Sequence, residues 1–351
     1  MLSFKTFLAV GLLWASFAHA QKTVQVSAIA FYNFENLFDT EDDPKNYGDD
    51  EFLPNGTYKY TPEVYHQKLS NLAWVLHELG TTYTPDGPAI IGTAEIENEV
   101  VLKDLVQQPA IKNRQYQYVH FDSRDSRGID VAMLYNPKYF KLLSARALYV
   151  DISKMGEIKG GKTRDVLFVS GILAGDTVHV LVNHWPSRRG GEAASAPLRA
   201  AAAGVGRAVI DSLMALNPHA KIILMGDLND DPINESLTKV IGATGDMRKV
   251  KSIGMYNPWM SYFRKGYGTL GFNDSWNLFD QILLSGSFLK QNRRSENEWT
   301  YYQSEVFKRD NMIEKFGQYK GYPKRSFTNN QWNNGYSDHF PTIVYLVKAI
   351  Q

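Results

Sequence analysis

Cysteine is absent from all 351 residues of the chain. That excludes a disulfide framework and any thiolate chemistry, so stability must come from an ordinary core. An excess of charge of one sign is missing too. Lys and Arg number 38 against 37 Asp and Glu, a formal +1 that removal of Lys5 would bring to zero. Such neutrality argues against a general polyanion-coating protein, while local basic patches remain open. Past the N-terminus no stretch is apolar enough to cross a bilayer, no linker is biased toward Pro, Ser or Gly, and no repeat of fixed period occurs. These absences lead us to expect a monomer with one domain over residues 21–351 and no stable membrane anchor.

What is present starts with a leader. Lys5 gives a positive start, an apolar run extends from Phe7 to Phe17, and Ala18-His19-Ala20 offers a small-x-small cleavage site before Gln21. A buried helix or an anchor is the alternative, but the run is short and no stop-transfer pattern follows. Residues 1–20 are therefore expected to be a signal peptide, and the mature protein to be soluble and secreted or periplasmic. The cleavage site precedes no cysteine, which excludes lipid attachment there.

Val24 to Tyr32 reads as a strand, and the acidic, turn-rich stretch from Asp39 to Gly56 as a surface loop. Thr61 and Pro62 open a helix as N-cap and first residue. Tyr65, Leu69, Leu72, Leu76 and Leu79 form its apolar stripe, and Gly80 closes it. A buried strand runs from Ala89 into Glu95, and Asn98 caps a second helix through Val106. Strands are expected at Gln115–Phe121, Ile129–Tyr135 and Phe140–Val150, with a hairpin of Val166–Leu173 and Thr177–Val182 around "AGDT". An alanine-rich helix is expected from Ala196 to Leu216, and a buried strand then ends in "LMGDLND". Met247 to Trp276 reads as irregular and aromatic, with later strands at Gln281–Leu284 and Thr342–Val347. Alternating strands and helices with hairpins among them predict a layered α/β sandwich.

Polar residues recur where apolar strands end. Asn33 and Asn36 follow the first strand, Glu95 ends "IIGTAE", His184 follows "VHVLVN", and Asp227 and Asn229 follow "KIILM". Asp280 precedes "QILLS", and Asp338-His339 introduces the last strand. Strand ends are where a rigid frame aims side chains into a crevice. Each has a bland reading alone: an Asx-turn for "GDLND", a cap for "SDH", a satisfied buried histidine for His184, a solvated acidic face for Glu95. The bland readings do not predict the joint, ordered occurrence.

The segments "FYNFENLFD", "IIGTAEIEN", "VLVNHWPSR", "LMGDLND", "FDQILLS" and "GYSDHFP" together resemble the endonuclease/exonuclease/phosphatase family, which includes pancreatic-type deoxyribonuclease and the apurinic endonucleases. The phrases "AEIEN" and "NHWPSR" look most like bacterial exported nucleases of that family. The resemblance implies a four-layered α/β sandwich, with two central mixed β-sheets flanked by helices. It implies a divalent cation held by Glu95, with Asp338 near it and Asn33 contributing. An oxygen-rich, thiol-free site suits Mg²⁺, with Mn²⁺ or Ca²⁺ as alternatives. It also implies that Asp227 orients or deprotonates the attacking water and that Asn229 donates to a phosphate oxygen. His339 would be base or phosphate contact, held in one tautomer by Asp280, and His184 would steady the phosphate or protonate the leaving oxygen.

Other residues divide between site and scaffold. Asn36 is a further substrate-binding candidate. Asp130 either orients His184 or opens its strand. Arg124, Arg127, Arg188 and Arg189 touch backbone phosphates or are solvated surface. Tyr256, Trp259, Tyr262, Phe263 and Tyr267 stack on bases or a lipid-like group, or form a satellite core. The implied function is an exported, cation-dependent phosphodiesterase, an endonuclease acting on nucleic acid. The alternatives are a phosphatase, a sphingomyelinase-like phospholipase C acting on a lipid head group, and a binding module without catalysis.

Overall fold

Period-two patterning in the strands sets the layers of the molecule. The computed structural model describes residues 23–153, 155, 161–251, 253–272 and 274–350, so the leader expected over residues 1–20 lies outside the described residues. The strands in chain order are β1 (Val24–Leu37), β2 (Ile90–Ile96), β3 (Gln117–His120), β4 (Asp130–Tyr135), β5 (Phe140–Leu148), β6 (Val166–Leu173), β7 (Asp176–His184) and β8 (Lys221–Asp227). They continue with β9 (Ala243–Thr244), β10 (Met255–Tyr256), β11 (Leu270–Phe272), β12 (Ser275–Asn277), β13 (Asp280–Ser285), β14 (Thr300–Val306), β15 (Phe327–Thr328), β16 (Gln331–Trp332) and β17 (Thr342–Ala349). The helices are α1 (Pro62–Glu78), α2 (Glu99–Val106), α3 (Glu192–Leu216) and α4 (Trp259–Arg264).

One mixed sheet has the order β14-β17-β1-β2-β4-β3 and the other β5-β6-β7-β8-β13-β10-β9, with β11-β12 and β15-β16 as small ribbons. In β8, Ile223 and Met225 enter the main core between the sheets, while Ile222 and Leu224 face the cluster shared with α3. Val178, Val180 and Val182 of β7, with Ile282 and Leu284 of β13, repeat the inward set. The sheets approach closely where Gly92 meets Met225: a Cβ at Gly92 would stand 2.5 Å from the Met225 sulfur. The α1 stripe joins the core of β1 and β2, and Gly80 at its end lies against Ala28. Two central sheets therefore lie between α1 and α2 on one side and α3 on the other. Among the described residues no helix is long and apolar enough to cross a membrane.

Several boundaries differ from the sequence reading. Helix α3 starts at Glu192, upstream of Ala196, and carries Pro197 inside. Arg199 donates to the Glu192 carbonyl and Ser195 to that of Gly191, so side chains occupy carbonyls of the opening turn. Strand β14 was not expected because its sequence, TYYQSEV, has no apolar run; it pairs along β17. Met247 to Trp276 contains β9's partner β10 and helix α4 as well as loops. The 39–56 loop is less superficial than its composition suggests, since Phe52 is buried between Phe38 and Tyr58, with ring centroids 4.3 and 4.7 Å away.

Candidate active site

Backbone irregularity at the strand ends brings the polar residues together. Strand β1 loses register with β2 between Asn33 and Leu37, and Glu35 and Asn36 adopt φ of 49° and 53°. The fully buried Asn33 accepts from the Glu35 amide (2.9 Å) and donates from Nδ2 to Asp227 Oδ2 (3.1 Å). Glu95 lies in a corresponding shift between β2 and β4 with φ of 62°, and its Oε2 accepts from the Asn36 amide at 2.9 Å. Left-handed backbone at non-glycine residues carries strain, which concentrates at functional sites.

The second sheet supplies its residues by plain register. His184 pairs with Asp227 across parallel β7 and β8, and Asp227 pairs with Asp280 across antiparallel β8 and β13. Asn229 (φ 49°) donates its backbone N–H to Asp227 Oδ1 at 3.1 Å. Its side-chain Nδ2 donates one proton to the Trp185 carbonyl (2.9 Å), which fixes the amide plane and leaves the second proton free for a ligand. His339 arrives just before β17. Its amide donates to Ser337 Oγ (3.1 Å), and that hydroxyl donates to the Asn33 carbonyl (2.7 Å).

The two histidines differ in charge for reasons visible in their neighbours. Burial disfavours the charged form of His339, but Asp280, Asp227 and Asp338 outweigh it and raise its pKa well above the usual range. Asp280 Oδ2 lies 2.7 Å from His339 Nδ1, so that nitrogen donates and Nε2 faces the cleft. His184 is held neutral by burial, and by Arg164, Arg127 and His339. Its Nε2 is 3.6 Å from Asp227 Oδ2 and 3.8 Å from Glu95 Oε1, and its Nδ1 has no hydrogen-bond partner among the described residues. Burial, with Asp280 and Glu95 nearby, raises the pKa of Asp227 to about 7 despite His339. An acid so placed is a base suited to neutral pH.

Glu95, His184 and Asp227 bring ligand atoms within 4.8 Å of one another, and so do Asp227, Asp280 and His339. Three carboxylates sharing two imidazoles and no sulfur fit a hard divalent cation, with Glu95 as its principal oxygen donor. Asp338, expected near Glu95, has Arg325 and His339 for partners. Its Oδ2 pairs with Arg325 at 2.9 Å and its Oδ1 lies 3.8 Å from His339 Nε2. Burial would raise its pKa, but His339 and Arg325 hold it below the usual carboxylate range. It thus serves the charge balance of His339.

The cleft has a volume of about 740 Å³, and Arg127, Lys162 and Arg189 are among its walls. Asp130 does not touch His184: it bonds His120 Nε2 (3.2 Å) and the Ser123 amide (2.9 Å). What holds His184 is Arg164, whose guanidinium donates to the carbonyls of His184 and Trp185 and pairs with Asp125. Sequence reasoning missed Arg164 because nothing local marks it. Arg188 is spoken for, pairing with Asp230, Asp231 and Glu192 and covering the Phe279 ring. Arg124 stacks on Tyr149, outside the cleft walls. Trp259 is fully buried with its Nε1 on the Ile282 carbonyl, Tyr256 is buried, and Tyr262 and Phe263 pack on the core; Tyr267 is half exposed. The aromatic stretch is mainly satellite core. Lys68 was missed as well: fully buried in the α1 stripe, it donates to the Glu35 carbonyl and Ser326 Oγ, both at 2.6 Å. A lysine between Tyr65 and Leu72 on an apolar face was the available signal.

A model of the Endonuclease/Exonuclease/phosphatase family matches residues 28–348 of the chain. No curated protein matches it in sequence. Among solved structures, the fold is similar to TDP2 of D. rerio complexed with a single-strand DNA product, with a TM-score of 0.52 and 13% identity over 91% of this chain and 99% of that one. It is similar to an endonuclease/exonuclease/phosphatase family protein from Bacteroides thetaiotaomicron, at 0.52 and 17%, covering 94% and 98%. A mannosyl-6-phosphatase of the same organism gives 0.52 and 17%, covering 91% and 99%. At such identities the likeness shows the fold alone.

Proposed function

This chain belongs to the endonuclease/exonuclease/phosphatase family, and from that premise we propose that it is an exported, divalent-cation-dependent phosphodiesterase acting on nucleic acid as an endonuclease. The observation that carries the reading is one cleft in which a charged His339, a neutral His184 and a near-neutral base, Asp227, converge beside a basic wall. Asp227 takes a proton from the attacking water as its oxygen bonds to phosphorus, the P–O bond to the leaving oxygen breaks, and that oxygen takes up a proton from solvent water in the open cleft. His339 Nε2 and the free Asn229 amide proton donate to the phosphoryl oxygens as their negative charge grows. The neutral state of His184 favours a hydrogen bond to phosphate over protonation of the leaving oxygen. Glu95, with Asn33 contributing, would hold Mg²⁺, or Mn²⁺ or Ca²⁺, which when bound supplies Lewis-acid stabilisation of phosphoryl charge. Export rests on the Lys5, apolar-run and Ala18-His19-Ala20 pattern.

The runner-up is a phosphomonoesterase, favoured by likeness to the mannosyl-6-phosphatase fold. The lipid-directed reading is weakened, since Trp259 is in the core, although Tyr267 and Phe272 of the same stretch are exposed. The deciding experiment incubates the purified mature chain with plasmid DNA, RNA, a hexose 6-phosphate and sphingomyelin, with and without chelator. Nicking of plasmid that chelator abolishes is the expected result. Release of inorganic phosphate from the hexose ester without nicking would replace the nuclease reading. Inertness toward every substrate would leave only a binding module.

A further inference from the structure

The 39–56 loop joins β1 to α1 and is crowded with acids at Asp39, Glu41, Asp42, Asp43, Asp49 and Asp50. Asp42, Asp49 and Asp50 bring carboxylate oxygens within 4.8 Å of one another. Crowding alone is common on surfaces, and Asp42 and Asp50 are exposed. Asp49 is different: it is only 1% exposed, with one oxygen accepting from the Asp43 amide at 2.8 Å and the other shut away from solvent without a hydrogen-bond partner among the described residues. A buried carboxylate oxygen with no donor is costly unless a cation or a proton satisfies it. Among the described residues no Lys or Arg forms an ion pair with any of the three.

We propose that this loop is a second cation site, separate from the cleft, in which Asp42, Asp49 and Asp50 hold calcium. Calcium suits an oxygen-only site on an irregular loop better than magnesium, which demands near-ideal octahedral geometry. The site has a route to the cleft. A Cβ on Gly48 would stand 2.2 Å from the Arg127 carbonyl oxygen, and one on Gly128 would stand 1.9 Å from Asn46 Nδ2. The loop is thus seated directly on the turn that carries Arg127, whose guanidinium lies 3.9 Å from Glu95. An ion that stiffens the loop holds this wall of the cleft in place.

The test uses the full mature chain carrying Glu95→Gln and Asp227→Asn, which removes two anionic oxygens from the cleft and weakens cation binding there. Ca²⁺ at millimolar concentration should raise its Tm, and Tb³⁺ luminescence sensitised by Tyr47 should saturate and be displaced by Ca²⁺. Adding Asp42→Asn and Asp50→Asn, at exposed positions where folding is safe, should weaken both responses by about tenfold or more. Asp49→Asn should do the same while circular dichroism shows an intact fold. If the parent shows no calcium response, Asp49 is satisfied by a proton and the proposal is overturned. An undiminished response in the Asp42→Asn, Asp50→Asn variant would overturn it equally, because the ion would then lie elsewhere.

Discussion

The cleft and the 39–56 loop both gather carboxylates, yet only the cleft is equipped to move protons. In the cleft Glu95, Asp227 and Asp280 stand on the ends of buried strands and share two histidines. In the loop Asp42, Asp49 and Asp50 stand on turns with no imidazole among them. Carboxylates alone make a place for a cation. Carboxylates that divide their influence unequally between two imidazoles make an acid and a base in the same few ångströms. His339 and His184 are both buried, and their opposite charge states follow from what they face: Asp280 and Asp338 for one, Arg164 and Arg127 for the other.

The largest effects should fall on the cleft side of this comparison. Glu95→Gln and Asp227→Asn each remove an anionic oxygen beside the reacting centre, and turnover should fall by on the order of 10³ or more. Asp42→Asn with Asp50→Asn should cost less than about tenfold, through positioning alone. Steady-state rates on plasmid DNA at fixed Mg²⁺ make the measurement. Equal losses from the two sets would erase the distinction between a chemical and a structural cation site.

A smaller loss should follow from parting His339 from its acid. Asp280→Asn preserves shape but removes the charge that keeps the ring protonated, and the rate should drop on the order of 10²–10³. In the wild type the His339 pKa is raised, so the charged ring persists through neutral pH and is lost only as pH rises through that elevated value. The variant should therefore lose activity at lower pH, with the alkaline limb of its pH–rate profile moved down. The double variant with His339→Ala should be scarcely worse than His339→Ala alone. Additive losses with an unmoved alkaline limb would mean that the 2.7 Å contact is structural.

What was legible in the sequence was whatever sits beside an apolar strand. Asn33, Glu95, His184, Asp227 and Asp280 each end or begin such a run, and register brings the last three together without long-range information. The partners reached by tertiary packing were not legible. Arg164 supports His184 from a segment with no motif, and Asp130, which stands at the right strand end, turns instead to His120. Conformation was hidden as well: nothing in "TAEIEN" announces that Glu95 adopts φ of 62°, because register shifts arise between strands and not within one. Neighbouring acids also separated by packing. Asp227 faces the cleft, whereas Asp230 is 2.6 Å from the buried Arg199 and Asp231 accepts from the Leu278 amide.

Stability against pH offers a finer probe, because both regions bury acids of raised pKa. Burial and Asp338 bring Glu35, behind the cleft, to about 7 despite Lys68. Burial and the loop aspartates bring Glu97 to about 8. Both folded values lie above the unfolded one, so the favourable contribution is complete below about pH 4.5 and is lost as pH rises through 7 to 8. Tm in chelator should therefore fall between pH 6 and 9 by an amount equivalent to about 1–3 kcal/mol per group. Glu35→Gln should flatten the lower part of that fall and Glu97→Gln the upper part, and Ca²⁺ should oppose the upper part. A flat Tm in chelator across this range would show that neither acid is driven to bind a proton.

The smallest effect separates two adjacent arginines that the sequence presents as equals. Arg188 donates to the Asn229 carbonyl at 3.0 Å and pairs with Asp231 at 3.1 Å and Glu192 at 2.9 Å. It is therefore part of the scaffold behind Asn229. Arg189 is exposed on the cleft wall, with no ion pair among the described residues. If nucleic acid runs along this wall, Arg189→Ala should weaken binding only a few-fold and flatten the slope of log K against log salt by about 0.7–0.9, the contribution of one phosphate contact. Arg188→Ala should leave that slope alone and lower stability by about 1–3 kcal/mol, since it strands Asp231 and the Asn229 carbonyl. Fluorescence anisotropy over a salt series and thermal melts read the two outcomes separately. An unchanged slope in Arg189→Ala would take nucleic acid off this wall and favour a small phosphoester. An equal change in both variants would mean that Arg188 leaves its acids when substrate binds, and the division between scaffold and contact residue would have to be redrawn.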